Sequence, residues 1–348
     1  MYSLSAYGRM LADRVRFDAY RRALERCVRP GDVVVDLGAG PGVFALLAAR
    51  LGASRVLAVD PDPIVELGTE LAHAHDVAER VEIHATTGAT LDRDTARAGD
   101  LVGAVDVLVG DLRGVLPVHD DHFEIVARAR RWLRPGGVVI AACDHLRVAP
   151  VTAPDAYRDL VEAWTAPHLV AAGLALDAAR ARAVQSIGRV TLPESAPVAP
   201  AVTWASIDYG SLDAEAPPTV LRRSAAWTLG ADATVHGLAV WFDSDLLTGT
   251  AEGEAVCLSS GPGGVAAGRA EVYGQAFLPW PSPHRLAAGD SVEVDLQARR
   301  VGDGWVWRWR SAVAGARFDQ STFFGAPLDR SRLAARAVVR SPGPDDPT

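Results

Sequence analysis

The chain has 348 residues, 49% of them hydrophobic and 22% charged, with a net charge of -8; this is globular composition, and two cores are expected because one seldom grows past roughly 250 to 300 residues. The negative charge, the lack of an arginine stripe interleaved with aromatics, and the lack of any apolar run near the roughly 20 residues that cross a bilayer argue against nucleic-acid and membrane partners. Cys27, Cys143 and Cys257 lie far apart with no Cys-x-x-Cys spacing, so they read as core thiols rather than as a disulfide framework or metal site, and no metal is expected.

In chain order, Met10 to Val28 carries apolar residues at helical spacing and reads as one amphipathic helix, ended by Arg-Pro-Gly. Val33-Val-Val-Asp-Leu-Gly-Ala-Gly-Pro-Gly42, the run Val43 to Ala53, and Val56-Leu-Ala-Val-Asp60 read as strand, glycine turn, helix and a second strand tipped by an acid. Ile64 to His75 reads as a helix, Val81 to Ala85 and Val105 to Asp111 as strands, Phe123 to Leu133 as a helix, and Val138 to Ala142 as an apolar strand. Strands alternating with helices predict a parallel sheet covered on both faces. Tyr157 to Ile187 is helical in tone, and from Arg189 onward short alternating segments with glycine, proline or acidic turns predict an antiparallel barrel or sandwich. The expected layout is an N-terminal helix (1–28), a Rossmann-like α/β domain (29–150), a helical segment (151–190), a mostly antiparallel β domain, barrel or sandwich (191–340), and a loose tail (341–348).

The glycine turn identifies a nucleotide cofactor site. Asp60, at the tip of the second strand, suits a ribose diol and repels a ribose phosphate. Asp36 precedes the first glycine, giving Asp-x-Gly-x-Gly-x-Gly with Gly38 and Gly40; a carboxylate beside the turn opposes a pyrophosphate but suits an amino-acid ammonium. S-adenosylmethionine carries that ammonium. A P-loop is excluded, because no Gly-Lys-Ser/Thr is present and the chain has no lysine at all. Arginine as the sole strong base, with abundant alanine, suggests a GC-rich bacterial source, and the absence of a secretory leader predicts a cytoplasmic protein.

Ligands of an open parallel sheet bind beyond the carboxyl ends of its strands. Asp111 opens such a loop, Gly110-Asp-Leu-Arg-Gly-Val-Leu-Pro-Val-His-Asp-Asp-His122. Its carboxylates and imidazoles can take a proton near neutral pH, which makes His119, His122, Asp111 and Asp120 the candidate catalytic and substrate-orienting residues. Arg113 either binds substrate or neutralises the neighbouring acids.

With these motifs in hand, the chain resembles the class I methyltransferases of the protein arginine methyltransferase fold. Met10-Leu-Ala-Asp-Arg-Val-Arg16 is similar to that family's helix over the cofactor, and Val235 to Asp243, Gly274 to Leu278 and Leu286 to Asp290 resemble its barrel. The resemblance implies that Arg16 meets the methionyl carboxylate of the cofactor, that Met10 lies near it, that Asp36, Gly38 and Asp60 hold it, and that Tyr157 to Ile187 is a dimerisation arm of a homodimer.

Several positions depart from the family pattern. Asp111 and Asp120 stand where paired glutamates grip a guanidinium, each one methylene shorter, and a fork-shaped cation is sensitive to that reach. Val115 replaces an aromatic and His122 a methionine. The Thr-His-Trp motif falls on Glu271-Val272-Tyr273, leaving no histidine for Asp13, and the adenine-binding glutamate falls near Ala89. These departures turn the expectation toward a small-molecule acceptor, an indole-type aromatic methylated at carbon, as in the bacterial members of this fold that serve alkaloid assembly of the physostigmine type. The alternatives are arginine methylation in a polypeptide and a non-catalytic partner protein that keeps the fold.

Overall fold

The structure, a computed structural model, describes residues 3–87, 100–249 and 254–325. Five parallel strands, β1 (Val33–Leu37), β2 (Arg55–Val59), β3 (Val81–His84), β4 (Val105–Gly110) and β5 (Leu133–Ile140), form the first sheet in the order β3-β2-β1-β4-β5. The three central strands, β2, β1 and β4, are rich in valine and leucine because both their faces are covered. Val34, Val56 and Val107 join the core beneath the alanine-rich helix α3 (Val43–Arg50), while Val35, Leu57 and Leu108 pack on the other side with Leu101 and Trp132.

The single helix expected over Met10 to Val28 is in fact two. α1 spans Leu4–Ala12 and α2 spans Arg14–Cys27, broken at Asp13, whose carboxylate accepts the Arg16 amide at 3.1 Å as an N-cap. Helix α4 (Leu67–Ala74) is shorter than expected because a 3-10 turn, Pro63–Glu66, precedes it, and α5 begins at His122 and runs to Ala129.

The second half is antiparallel. Strands β6 (Cys143–Val151), β7 (Gly188–Val190), β8 (Val202–Asp208), β10 (Ala233–Leu247) and β12 (Gln275–Leu286) run in the order β7-β12-β10-β6-β8, with β11 (Val256–Ser259) on β10. A four-stranded sheet, β15-β14-β13-β9, built from β9 (Val220–Thr228), β13 (Ser291–Val301), β14 (Gly304–Val313) and β15 (Ala316–Ser321), curls against it. Trp204, Trp227, Trp280, Trp307 and Trp309 fill the barrel-like interior. Strand β6, read from sequence as the end of the first domain, belongs to this second sheet, so the change of architecture falls at Ala141 and Ala142 rather than at 150. The segment 151–190 carries three short helices, α6 (Pro154–Leu160), α7 (Pro167–Ala171) and α8 (Asp177–Ala183). Cys257 is exposed rather than a core thiol, while Cys27 and Cys143 are half-buried. The tail 341–348 and Ala89 lie outside the described residues. Among the described residues no helix is long and apolar enough to cross a membrane.

Candidate functional site

A cleft of about 1050 Å³ opens above the carboxyl ends of β1, β2 and β4, between α1 and the second half of the chain. Met10, Arg16, Asp36, Gly38, Gly40 and Asp60 all line it, as do Asp111, His119 and Asp120.

The glycine turn explains the cofactor end. Gly38 and Gly40 have φ of +67° and +53°, and a Cβ would strike the Leu112 side chain at the first and the Tyr7 ring, at 2.7 Å, at the second. Asp60 ties the turn down: one carboxylate oxygen accepts the Gly40 amide and the other the Asp62 amide, both at 2.8 Å. Two lone-pair sites remain on that carboxylate for ribose hydroxyls. Asp36 is buried, accepts the Ala45 amide at 3.1 Å, and burial pushes its pKa up to about 7. Tyr7 of α1 covers the turn and donates to Asp62 at 3.4 Å. Sequence reasoning missed it, although it sits one helical turn before Met10 and faces the same side.

At the other end Asp111 is saturated. It accepts from Arg16 Nε at 2.6 Å, Arg113 Nη1 at 2.9 Å and the Tyr273 hydroxyl at 2.5 Å. Burial opposes its charge, but the two guanidinium groups outweigh this and hold its pKa down to about 2. Asp111 is therefore an ionised anchor, not the proton acceptor expected from its loop position. Arg113 is the neutraliser, fully buried, with further bonds to Asp144 Oδ2 at 2.7 Å, the Tyr20 hydroxyl at 2.5 Å and Ser244 at 3.0 Å.

His122 does not face the cleft. As the first residue of α5 it turns into a separate cavity of about 20 Å³ that Arg113 and Tyr209 also line. Its Nε2 lies 2.9 Å from the Tyr209 hydroxyl, which donates to Asp144 at 2.7 Å. Burial pushes its pKa well below the ordinary histidine value, followed by the charge of His119 and then of Arg113. It is withdrawn from the set of candidate bases.

His119 remains. It is partly exposed at the cleft, and its Nε2 donates to the Leu112 carbonyl, which leaves the Nδ1 lone pair unprotonated in the neutral ring, 3.5 Å from Asp120. Asp120 stands at the rim with its carboxylate exposed. The missing histidine partner of Asp13 is replaced by backbone, since Asp13 accepts the Val272 amide at 2.9 Å and so keeps α2 joined to the second half. Leu112, Val115, Leu116, Val118, Ala276 and Trp307 give this end an apolar wall.

A sequence model described as "Ribosomal protein L11 methyltransferase (PrmA)" matches residues 21–116. Among curated proteins the chain is similar to a probable protein arginine N-methyltransferase 6 of Arabidopsis thaliana, 28% identical over 67% of this chain and 52% of that one. It is also similar to the protein arginine N-methyltransferase PRMT10 of Oryza sativa subsp. japonica, 35% identical over 46% of this chain and 40% of that one. The chain thus spans about half the length of the curated relatives it matches. Its fold is that of the protein arginine methyltransferase structures: a PRMT1 enzyme-prozyme heterotetramer of Trypanosoma brucei, solved with AdoHcy, superposes with a TM-score of 0.75 at 20% identity over 90% of this chain and 95% of that one. Protein arginine methyltransferase 10 of Arabidopsis thaliana gives 0.73 at 20% identity over 92% and 97%.

Proposed function

We propose that the chain is an S-adenosylmethionine-dependent methyltransferase whose acceptor is an arginine guanidinium in a polypeptide. The observation that carries the cofactor is the glycine turn clasped by Asp60, with the ionisable Asp36 beside it and Arg16 across the cleft: a ribose, an ammonium and a carboxylate each find a complementary group. When bound, the cofactor supplies an electrophilic methyl group on a sulfonium. The chain's own residues orient the acceptor, exclude water and take up the proton it loses, and orientation alone can be worth several kcal/mol. His119 Nδ1 is the proton acceptor in this reading.

The relatives' names support the acceptor, and Asp120, its carboxylate exposed at the rim of the cleft, is the acid a substrate guanidinium would meet. A second reading, a small neutral aromatic acceptor of indole type, is supported by the charge balance: Arg16, Arg113 and Tyr273 occupy Asp111, and the wall around His119 is apolar. Incubation with cofactor labelled in the methyl group separates them. Label in polypeptide arginine supports the first, label confined to small extractable aromatics supports the second, and cofactor binding without label in either sinks both.

Two expectations follow from this reading. A cofactor ammonium needs Asp36 ionised, so between pH 6 and 8 affinity should rise with pH, by up to about tenfold per unit below pH 7, with a proton released on binding. Calorimetry in buffers of different ionisation enthalpy measures that release, and a flat profile would detach Asp36 from the ammonium. The arm exposes Trp164, Val170 and Leu174, apolar groups that a second copy would cover in the homodimer. Val170→Glu with Leu174→Glu should give monomers in sedimentation; an unchanged dimer would remove the arm from the interface.

A further inference from the structure

The loop that carries His119 and Asp120 is gripped from the second half of the chain. Arg300, near the end of β13, donates through Nη1 to the Asp120 carbonyl at 3.0 Å and to Glu124 Oε2 at 2.6 Å, and through Nη2 to Asp121 Oδ1. Trp305, at the start of β14, donates its indole N–H to the same Asp120 carbonyl at 3.2 Å and sets its ring edge-to-face on Phe123, with centroids 5.6 Å apart. Both lone pairs of one carbonyl oxygen are thereby engaged, from two strands of one hairpin.

The loop shows what this grip opposes. Asp120 has φ of +37°, a left-handed backbone that is strained for a non-glycine residue. Asp121 occupies the N-cap position of α5 yet makes no side-chain cap bond, its carboxylate being turned outward to Arg300. An exposed ion pair is worth little, but here the Arg300 side chain is only 15% exposed and binds three acceptors within one five-residue stretch.

We propose that Arg300, assisted by Trp305, is a positioning residue: it fixes the Asp120 peptide and so sets His119 and Asp120 at the cleft. The importance of that position for chemistry rests on the methyl-transfer reading above; the positioning itself does not. Arg300→Gln keeps a donor but loses the charge and the reach to all three acceptors, and Arg300→Lys restores the charge without the fork.

The decisive readout is the imidazole ¹⁵N signal of His119, assigned by comparison with His119→Asn. The parent protein should show one tautomer, protonated at Nε2, and Arg300→Gln should shift it toward a tautomer mixture, with Arg300→Lys in between. The dissociation constant for S-adenosylhomocysteine should stay within twofold, whereas kcat/KM for any labelled acceptor should fall at least tenfold. Trp305→Phe, which removes the second donor alone, should move the same signal less and covers the case in which the arginine variants fail to fold. An unmoved His119 signal in Arg300→Gln, or in Trp305→Phe if that variant alone folds, overturns the proposal. A parent protein with no methyl transfer would overturn the functional reading and leave the ¹⁵N result to decide the positioning.

Discussion

Arg113→Met should cost the folded protein about 3 to 5 kcal/mol, the largest loss expected from any single change at the site, because it leaves two buried carboxylates with too little opposing charge. In the parent the guanidinium lies between Asp111 and Asp144 at 2.9 and 2.7 Å, and its remaining donors reach Tyr20 and Ser244. Asp111 would keep Arg16, but Asp144 would keep only the Tyr209 hydroxyl. Urea unfolding measures the loss. Adding Asp144→Asn should recover a large part of it, since a neutral amide no longer demands a cation; a double variant as unstable as the single would show that packing, not charge, is what Arg113 supplies. The pH dependence has a defined sign. Asp111 is held below its unfolded value, so its contribution is fully present above about pH 4 and is lost as the pH falls through about 2.

Asp60→Ala should raise the dissociation constant for S-adenosylhomocysteine about 10- to 100-fold, corresponding to charge-assisted hydrogen bonds worth roughly 1.5 to 3 kcal/mol. The effect has two sources. The free lone pairs that would meet a ribose are removed, and the Gly40 and Asp62 amides lose their shared acceptor, so the turn itself loosens. Asp60→Asn separates these, because an amide oxygen can keep one backbone bond while the anion is gone. Equilibrium titration reads both variants. An affinity unchanged in Asp60→Ala would take the ribose out of this corner of the cleft.

The first half of the molecule was legible because its signals are local: a hydrophobic strand, a glycine-rich turn and an acid one helix later occupy one continuous stretch, and the sheet follows from their alternation. His119 and Asp120 were legible for the same reason, as polar residues after a buried strand. His122 was not, because its direction depends on α5 beginning at that residue, which turns its ring out of the cleft to bond Tyr209, 87 positions later in sequence, while the His119 ring stays packed beside it at 5.6 Å. The saturation of Asp111 was equally hidden. Its partners come from α2, from its own loop and from Tyr273, and no spacing rule joins residues 16, 111 and 273. The single long N-terminal helix was misread because Asp13 looks like a surface acid within a helical pattern until Val272 is seen to bind it. The β6 boundary was missed because Cys143 to Val151 carries Asp144, His145 and Arg147 and gives no strand signal of its own, its place in the second sheet being set by pairing with β10 and β8 far along the chain.

The passage from β5 to β6 is only Ala141 and Ala142, and Ala142 is fixed to the second half by both its backbone groups: its amide donates to the Asp245 carbonyl and its carbonyl accepts the Tyr209 amide, at 2.9 and 3.0 Å. The two halves are joined again where Val272 and Tyr273 bind Asp13 and Asp111. Across the crevice lies α1, none of whose residues is buried and which leans on the glycine turn through Tyr7 and its bond to Asp62. A nucleoside entering there would displace less packed surface by shifting α1 than by parting the two halves.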